Sequence, residues 1–345
     1  MDTFLFWNTR GASDKGLFRN LKSICSGPRP CLISLAETHT ADASKFRGLS
    51  KLGFDRSWIV PSVGRSGGLA VAWDSNRISV SVLEDDRQFV HLYCQIHQKL
   101  PFFLTIVYAV PYSNLRIELW NNILRLSKGI NAPWSVLGDF NDILLANERV
   151  RGRSGNLRRM QWFHDRISDC GLIDMGSIGP RMTWKGPKLA GCPRLFERLD
   201  RALANSQFLD HMQDSFLKVL PRSNFSNHNP ILLSVGLKQE RFKSKKPFRF
   251  EAMWLSHESF SDFLSNNWSR QNNLLDCLNS FKKNIDGWNR NVFGFVEKKI
   301  ATLLARLNGI QNSKAYPYSS FLCDLELQLQ RELEQVLRDE EVKWF

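Results

Sequence analysis

Short apolar runs separated by turn residues dominate the first 236 positions of the chain. The runs are rich in β-branched and aromatic residues and are bounded by Gly, Pro, Asn or Asp, which is typical of buried β-strands. Eight strands are predicted on this basis: Phe4–Trp7, Cys31–Ala36, Gly68–Trp73, Ile78–Leu83, Val90–Ile96, Phe102–Tyr108, Trp134–Leu137 and Ile231–Val235. Helical spacing of apolar residues appears over Ser113–Lys128 and again at Met160, Phe163 and Ile167. Many strands with few helices predict a layered α/β or α+β domain built on two sheets.

The pattern changes after residue 236. Residues 237–250 read as a basic linker, and strand signals disappear from residue 251 onward. Apolar residues then recur every three or four positions on both sides of the breaker at residues 315–318: Val296, Ile300, Leu303, Leu307 and Ile310, then Leu322, Leu325, Leu329, Leu333 and Val336. This spacing predicts a helical hairpin. We therefore expect a domain over 1–236, a linker over 237–250, and a helical region over 251–345 that takes no part in an active site.

The charge distribution favours a polyanionic partner. The net charge is +13, and five arginines fall within residues 149–159 without a carboxylate: Arg149, Arg151, Arg153, Arg158 and Arg159. Such density suits the neutralisation of a phosphate backbone, so DNA is the expected partner. A solvated basic face is the alternative interpretation of the same run.

Compartment and membrane contact can also be predicted from the sequence. No apolar run approaches the roughly 18 residues that span a bilayer, and the N-terminus lacks a cationic segment typical of secretion. The seven cysteines are scattered, without a C-x-x-C pair, which favours reduced thiols over a disulfide framework or a zinc site. We expect a nuclear or cytoplasmic protein that is not secreted and has no membrane partner.

Candidate chemistry lies where the predicted strands end. Oxygen-rich and ionisable side chains end, follow or precede five of these strands: Asn8, Glu37, Tyr108, Asp139 with Asn141, and Asn227 with His228. Each one alone is more often a cap or turn residue. Together they offer carboxylates for a hard divalent cation, a histidine, amides and a tyrosine, which suits hydrolysis of a phosphodiester.

Six motifs in order carry a resemblance to a known family: Trp7-Asn8, Glu37-Thr38, Val107-Tyr108, Gly138-Asp139-Phe140-Asn141, Arg198-Leu199-Asp200-Arg201 and Ser226-Asn227-His228. The chain resembles the endonuclease/exonuclease/phosphatase superfamily, to which apurinic/apyrimidinic endonucleases belong. It is most similar to the endonuclease domain of a plant LINE-type (non-LTR) retrotransposon. Further motifs support this, including Met182-Thr183-Trp184 and, in the region before a retroelement reverse transcriptase, Phe248–Trp254 and Trp288–Gly294.

The resemblance implies a fold. It is a four-layer sandwich of two packed β-sheets flanked by helices, to which the predicted C-terminal helical hairpin is added. It also implies a metal-dependent endonuclease that nicks target DNA, with Mg²⁺ as cofactor and Mn²⁺ as a substitute. A reverse transcriptase of the element, or RNA, are further partners that it implies.

The resemblance also implies roles for individual residues. Glu37, Asn8 and Asn227 are assigned to the metal, and Asp139 orients or deprotonates the attacking water. Asn141 donates to a phosphate oxygen, and Tyr108 contacts the scissile phosphate or the leaving oxygen. Asp200 fixes the tautomer of His228. The expected nucleic-acid contacts are Arg151, Arg153, Arg158 and Arg159.

One position departs from the family pattern. Where the family has Ser-Asp-His, this chain has Ser226-Asn227-His228. An amide keeps the shape of the missing carboxylate but supplies neither its charge nor a base. Three functions therefore stay open: an active endonuclease, a catalytically inactive nucleic-acid-binding remnant, and a superfamily phosphatase acting on an inositol phosphate or phospholipid.

Overall fold

A computed structural model describes residues 2–11, 15–64, 67–97, 99–151, 156–188, 194–236, 254–255, 257–268, 274–292 and 294–342. The chain divides into two compact units. Unit 1 comprises Met1–Gln239 together with Asn308–Glu326, and unit 2 comprises Glu240–Leu307 and Leu327–Phe345. The expected basic linker over 237–250 lies outside the described residues.

The secondary structure of the described residues is mixed. The strands are β1 (Asp2–Asn8), β2 (Leu32–Ala36), β3 (Arg56–Val60), β4 (Leu69–Trp73), β5 (Ile78–Asp86), β6 (Phe89–Ile96), β7 (Phe102–Tyr108), β8 (Trp134–Asp139), β9 (Arg149–Val150), β10 (Leu172–Asp174), β11 (Trp184–Lys185), β12 (Phe196–Glu197), β13 (Asp200–Asn205), β14 (Phe216–Val219) and β15 (Ile231–Val235). The helices are α1 (Lys15–Ser26), α2 (Gly48–Lys51), α3 (Ser113–Gly129), α4 (Leu157–Asp169), α5 (Ser206–His211), α6 (Phe260–Asn267), α7 (Leu274–Val292), α8 (Gly294–Asn312) and α9 (Ser320–Val342).

Two six-stranded sheets form the frame of unit 1. The first sheet has the order β14-β15-β1-β2-β4-β3, and the second has the order β10-β13-β8-β7-β6-β5. One central pair in each sheet is parallel, β1 with β2 and β7 with β8, while the other pairs are antiparallel. A small three-stranded sheet, β11-β12-β9, lies outside these two.

Alternation along the strands builds the layers. In β1, Phe4 and Phe6 belong to the core that also contains Leu104 and Ile106 of the second sheet. Leu5 instead belongs to a separate core with helix α1. Helices α3 and α4 cover the other face of the second sheet through a third apolar cluster. Strands buried on both faces need continuous apolar sequence, which is why their pattern is so clear. The predicted four-layer sandwich of two packed sheets flanked by helices is confirmed.

All eight predicted strands are present, with ends that differ by up to three residues. The sequence pattern missed several elements, of which β13 matters most because it begins with Asp200. Arg201 interrupts its apolar run, yet that side chain is fully buried, paired with Glu148 and Asp174 at 2.9 and 2.7 Å. Long-range ion pairs of this kind leave no local sequence signal.

Unit 2 is helical in its described part. Its core consists of Trp254, Phe260, Phe281 and Ile285, which belong to a short turn and to helices α6 and α7. The two predicted apolar repeats fall within α8 and α9, so the C-terminal helical hairpin is confirmed. None of the described helices is both long enough and apolar enough to cross a membrane.

Candidate active site

Polar residues end the central strands and meet at one edge of the sheets. Asn8 is the last residue of β1, and Glu37 directly follows β2, its parallel neighbour. Tyr108 and Asp139 are the last residues of the parallel strands β7 and β8 and pair with each other. Parallel neighbours present their carboxyl ends at the same edge, so the topology places all four residues there.

The side-chain amide of Asn8 joins two of these carboxylates. Its Nδ2 donates to Glu37 Oε1 at 3.1 Å and to Asp139 Oδ2 at 2.9 Å. Tyr108 donates its hydroxyl to the same Glu37 oxygen at 3.0 Å. Asn8 and Asp139 are fully buried, where the low local dielectric strengthens such hydrogen bonds. Four of the predicted site residues are therefore in direct hydrogen-bond contact.

His228 lies between two buried aspartates. Its Nδ1 is 3.0 and 3.2 Å from the two carboxylate oxygens of Asp200, and its Nε2 is 3.8 Å from Asp139 Oδ2. Strand register explains the arrangement, because β13 pairs Asp200 directly with Asp139. A carboxylate at Nδ1 fixes the ring and its tautomer, so Nε2 faces the other site residues.

Two hydroxyls without an assigned role hold this arrangement in place. Thr183 Oγ1 accepts the main-chain N–H of Asp200 at 3.0 Å. Ser226 Oγ donates to the main-chain oxygen of Asn8 at 2.7 Å and accepts the N–H of His228 at 3.0 Å. Both hydroxyls fall in motifs of the family resemblance, which is the signal by which they could have been found.

Asn141 supports Asp139 from the following loop. Its main-chain N–H donates to Asp139 Oδ1 at 2.9 Å, and its Nδ2 lies 3.4 Å from Asp139 Oδ2. The same Nδ2 donates to the main-chain oxygen of Ala109 at 2.6 Å. The predicted phosphate donor is therefore engaged with the protein in this structure.

Backbone strain concentrates in the loops of this edge. Glu37, His39 and Asn141 have φ values of 50°, 52° and 49°, a left-handed conformation that costs a non-glycine residue about 1–3 kcal/mol. Gly68, whose φ is 92°, allows a close approach of the chain, since a Cβ there would lie 2.3 Å from Thr38 Oγ1. Strained residues of this kind cluster at sites where side chains must be aimed at a ligand.

Burial and neighbouring charges tune the proton affinity of the site. Burial and the charge of Asp200 raise the pKa of Asp139 above its usual range, against the opposing charge of His228. Burial alone lowers the pKa of His228, but the carboxylates of Asp200 and Asp139 outweigh it and raise that pKa. The site thus contains a carboxylate able to accept a proton and an imidazole that retains one.

The donor atoms of the site fit a divalent cation. Asn227 Oδ1 is buried and has no hydrogen-bond partner in the described part of the chain, and such an orphaned oxygen calls for a ligand. Glu37 and Asn8, which are hydrogen-bonded to each other, offer a carboxylate and an amide, the oxygen chemistry that Mg²⁺ prefers. Asp139, Asp200 and His228 form a second group, with ligand atoms within 4.8 Å of one another.

The predicted nucleic-acid contacts have different environments. Arg159 is engaged with the protein, because it pairs with Asp142 and donates to the main-chain oxygen of Asn141. Arg158 is exposed at the start of α4. The Arg151 guanidinium lies 5.7 Å from the ring centre of Tyr318, and Arg153 lies outside the described residues.

Comparison with known proteins identifies the family and the fold. Residues 5–228 match the Endonuclease/Exonuclease/phosphatase family, whereas no curated protein matches the chain. Similar solved structures include the endonuclease domain of TRAS1, a telomere-specific non-LTR retrotransposon (13% identity, covering 68% of this chain and 98% of that chain, TM-score 0.51). Also similar is an AP endonuclease from Archaeoglobus fulgidus (14% identity, covering 69% of this chain and 100% of that chain, TM-score 0.52). The 3′ phosphatase NExo from Neisseria, bound to a product DNA hairpin, is similar as well (15% identity, covering 69% of this chain and 100% of that chain, TM-score 0.50).

The family match covers most of unit 1 and ends at His228. It includes both parallel strand pairs and all of the hydrogen-bonded residues between Asn8 and His228. The chain therefore belongs to the Endonuclease/Exonuclease/phosphatase family, whose members are divalent-metal-dependent hydrolases of phosphate esters.

Proposed function

We propose that this chain is a metal-dependent DNA endonuclease that nicks target DNA for a non-LTR retrotransposon. The observation that carries the proposal is the connected, largely buried set of contacts from Glu37 through Asn8 and Asp139 to His228 and Asp200. It contains oxygen ligands for a cation, including a carboxylate. It also contains a base and an imidazole. Hydrolysis of a phosphodiester needs these three components together.

Asp139 is the group that handles the attacking water in this proposal. Its raised pKa makes it a competent proton acceptor near neutral pH, and Asn141 N–H and Asn8 Nδ2 hold its two oxygens in a fixed orientation. Glu37, Asn8 and Asn227 would hold the cation. Mg²⁺, or Mn²⁺ in its place, supplies positive charge that offsets the charge developing on the phosphate.

His228 faces the phosphate as an imidazolium. Asp200 keeps the Nδ1 proton in place and stabilises the charged ring, so Nε2–H donates toward a phosphate oxygen. Tyr108, whose hydroxyl bonds Glu37, is positioned to contact the scissile phosphate or the leaving oxygen. A donation from Asn141 to phosphate requires its Nδ2 to leave the oxygen of Ala109.

DNA is the substrate that the comparisons and the charge distribution support. The retrotransposon endonuclease domain and the NExo complex with a DNA hairpin share this fold. The exposed Arg158 and the half-buried Arg151 follow the site loop that carries Asn141 and are suited to phosphate contacts. In this proposal the protein acts in the nucleus, and its partner is the element's reverse transcriptase or RNA.

Asn227 favours a second candidate, an inactive nucleic-acid-binding remnant. Its unpartnered Oδ1 is neutral where the family pattern has a carboxylate, so the cation is held less tightly and one base is missing. This candidate retains DNA binding through the arginines and lacks cleavage.

A substrate panel tests the proposal. The full chain is incubated with supercoiled plasmid, an abasic-site duplex, inositol phosphates and phospholipid vesicles, each with Mg²⁺, Mn²⁺ or EDTA. We expect metal-dependent nicking of DNA and no phosphate release from the other substrates. Phosphate release from inositol phosphate alone would indicate the phosphatase, and tight DNA binding without cleavage would indicate the inactive remnant.

A further inference from the structure

Part of the helical region folds with the candidate active site. The sequence pattern predicts that residues 251–345 take no part in that site, whereas Asn308–Glu326, which run from the end of α8 to the start of α9, belong to unit 1. This segment carries three buried polar side chains, Gln311, Tyr316 and Glu326, which are 6%, 3% and 0% exposed. Buried polar groups need hydrogen-bond partners. The partners of these three side chains contact the residues on either side of His228.

The Glu326 carboxylate is the centre of this network. Its Oε1 accepts from Arg222 Nη2 at 2.7 Å and from Gln311 Nε2 at 3.0 Å. Its Oε2 accepts from the Tyr316 hydroxyl at 2.6 Å and from Lys185 Nζ. Burial opposes the charged form, but Arg222 and Lys185 outweigh burial and lower the pKa of Glu326. The ion pairs therefore persist at neutral pH.

Two of these partners hold the residue that follows His228. Arg222 Nη1 donates to Asn229 Oδ1 at 2.8 Å, and Asn229 Nδ2 donates to Gln311 Oε1 at 2.9 Å. The main-chain N–H of Asn229 donates to the oxygen of Thr183 at 2.7 Å. Asn229 is thus fixed through its side chain and its main chain.

A third partner holds the residue that precedes His228. The main-chain N–H of Lys185 donates to the oxygen of Asn227 at 2.9 Å, while the ammonium of the same lysine pairs with Glu326. Trp184, next to Lys185, is paired with His228 across an isolated β-bridge. The chain on both sides of His228 is therefore tied to one buried carboxylate.

We infer that Glu326 is a positioning residue for His228, acting through Arg222, Gln311 and Lys185. The inference rests on the proposed role of His228. The 308–326 segment is then part of the functional nuclease rather than an appendage to it. Misplacing a reacting group by about 1 Å can cost up to about 100-fold in rate, so loss of the network lowers turnover more than substrate binding.

The test uses the full chain and three variants. Glu326→Gln removes the central charge, Tyr316→Phe removes only one hydroxyl from the network, and Asp324→Asn is the matched control. Asp324 is exposed two residues earlier on α9. Two readouts are taken: steady-state plasmid nicking, which gives the maximal rate and KM, and the imidazole ¹⁵N signals of His228, assigned with His228→Gln.

We expect Glu326→Gln to lower the maximal rate about 10- to 100-fold with KM changed less than about threefold, and to shift or broaden the His228 signals. Tyr316→Phe gives a smaller change of the same kind, and Asp324→Asn gives none. Wild-type rates and signals in folded Glu326→Gln and Tyr316→Phe would overturn the inference. Tyr316→Phe decides alone if Glu326→Gln does not fold. A wild-type chain that cleaves no DNA contradicts the proposed function, while the ring signals still decide the positioning role.

Discussion

One amide at position 8 connects the two halves of the candidate site. Asn8 Nδ2 donates to carboxylates that follow β2 and end β8, one from each sheet. Without that donor, Glu37 and Asp139 would face each other as like charges in a region where burial makes repulsion costly. The sequence predicted this residue because it ends an apolar strand and matches a family motif. Its bridging contact could not be predicted, since it depends on how the two sheets pack.

The amide at position 227 can be tested by replacing it with a carboxylate. Asn227→Asp restores a negative charge beside the metal and water positions of the proposed site. Electrostatic and general-base contributions are each worth about 10²–10³-fold, so we expect nicking to rise at least about tenfold. The Mg²⁺ concentration for half-maximal rate should fall. Binding to uncut DNA in EDTA should barely change. Equal cleavage rates for wild type and variant would show that the amide suffices.

The contact between Asp200 and His228 can be tested by removing the charge of Asp200. Asp200→Asn keeps the size of the side chain but removes the charge that holds the Nδ1 proton, so the ring can adopt the wrong tautomer. We expect the single-turnover rate to fall by about 10²–10⁴-fold without loss of folded structure by circular dichroism. The exposed Asp214→Asn serves as a control of equal charge change. A rate within threefold of wild type would remove Asp200 from the mechanism.

At the scale of elements, strand β13 joins the site to a buried ion-pair network. Arg201 of this strand donates to Glu148 and Asp174, and Arg198 just before it binds the same two carboxylates. These contacts hold the strand whose first residue is Asp200. The apolar strands were predictable because burial on both faces requires a visible pattern. Strand β13 was not predictable, because Arg201 within it pairs with carboxylates that lie 27 and 53 positions away in the sequence.

Asp174 allows a test of this network through the pH dependence of stability. Burial alone would raise its pKa, but Arg198 and Arg201 lower it to about 2, below the unfolded value of about 3.9. A carboxylate whose pKa is lower in the folded state stabilises the fold at pH values above its unfolded-state pKa. This contribution disappears as the pH falls through the folded-state pKa. Asp174→Asn should therefore lower the free energy of unfolding by about 2 kcal/mol at pH 7 and by about half as much at pH 3.

Urea unfolding followed by tryptophan fluorescence measures this difference. The exposed Asp210→Asn, on α5, is the matched control and should leave stability within about 0.5 kcal/mol of wild type. A difference between wild type and Asp174→Asn that is the same at both pH values would contradict the ionic origin of the effect.

At the scale of the whole molecule, the fold class and the order of the site motifs follow from the sequence, whereas the division of the helical region does not. Regular spacing of Leu325 and Leu329 predicts helix α9, and on that pattern Glu326 is simply a polar neighbour. Its buried contact with Arg222 spans 104 positions, and no local periodicity records it. The domain boundaries drawn at 236 and 251 stay predictions, since residues 237–250 are outside the described structure.

The basic surface makes a prediction that concerns the molecule as a whole. Each phosphate neutralised on duplex DNA contributes about 0.9 to the slope of log affinity against log salt. Arg158→Ala should flatten that slope by about 0.9 in fluorescence anisotropy titrations. Arg29→Ala, an exposed arginine before β2 at the opposite edge of the first sheet, should leave it unchanged. Equal slopes for wild type and Arg158→Ala would show that this arginine does not contact a phosphate and belongs to a solvated face.

The proposed endonuclease activity is measured most directly as the rate at which the full chain converts supercoiled plasmid to nicked circles in Mg²⁺. Wild type, Asp139→Asn and His228→Gln are compared under single-turnover conditions, with EDTA as the metal-free reference. We predict metal-dependent nicking by wild type and at least about a 100-fold loss in each variant. Nicking that both folded variants retain at the wild-type rate, or the absence of nicking from both wild type and Asn227→Asp, would contradict the proposed function.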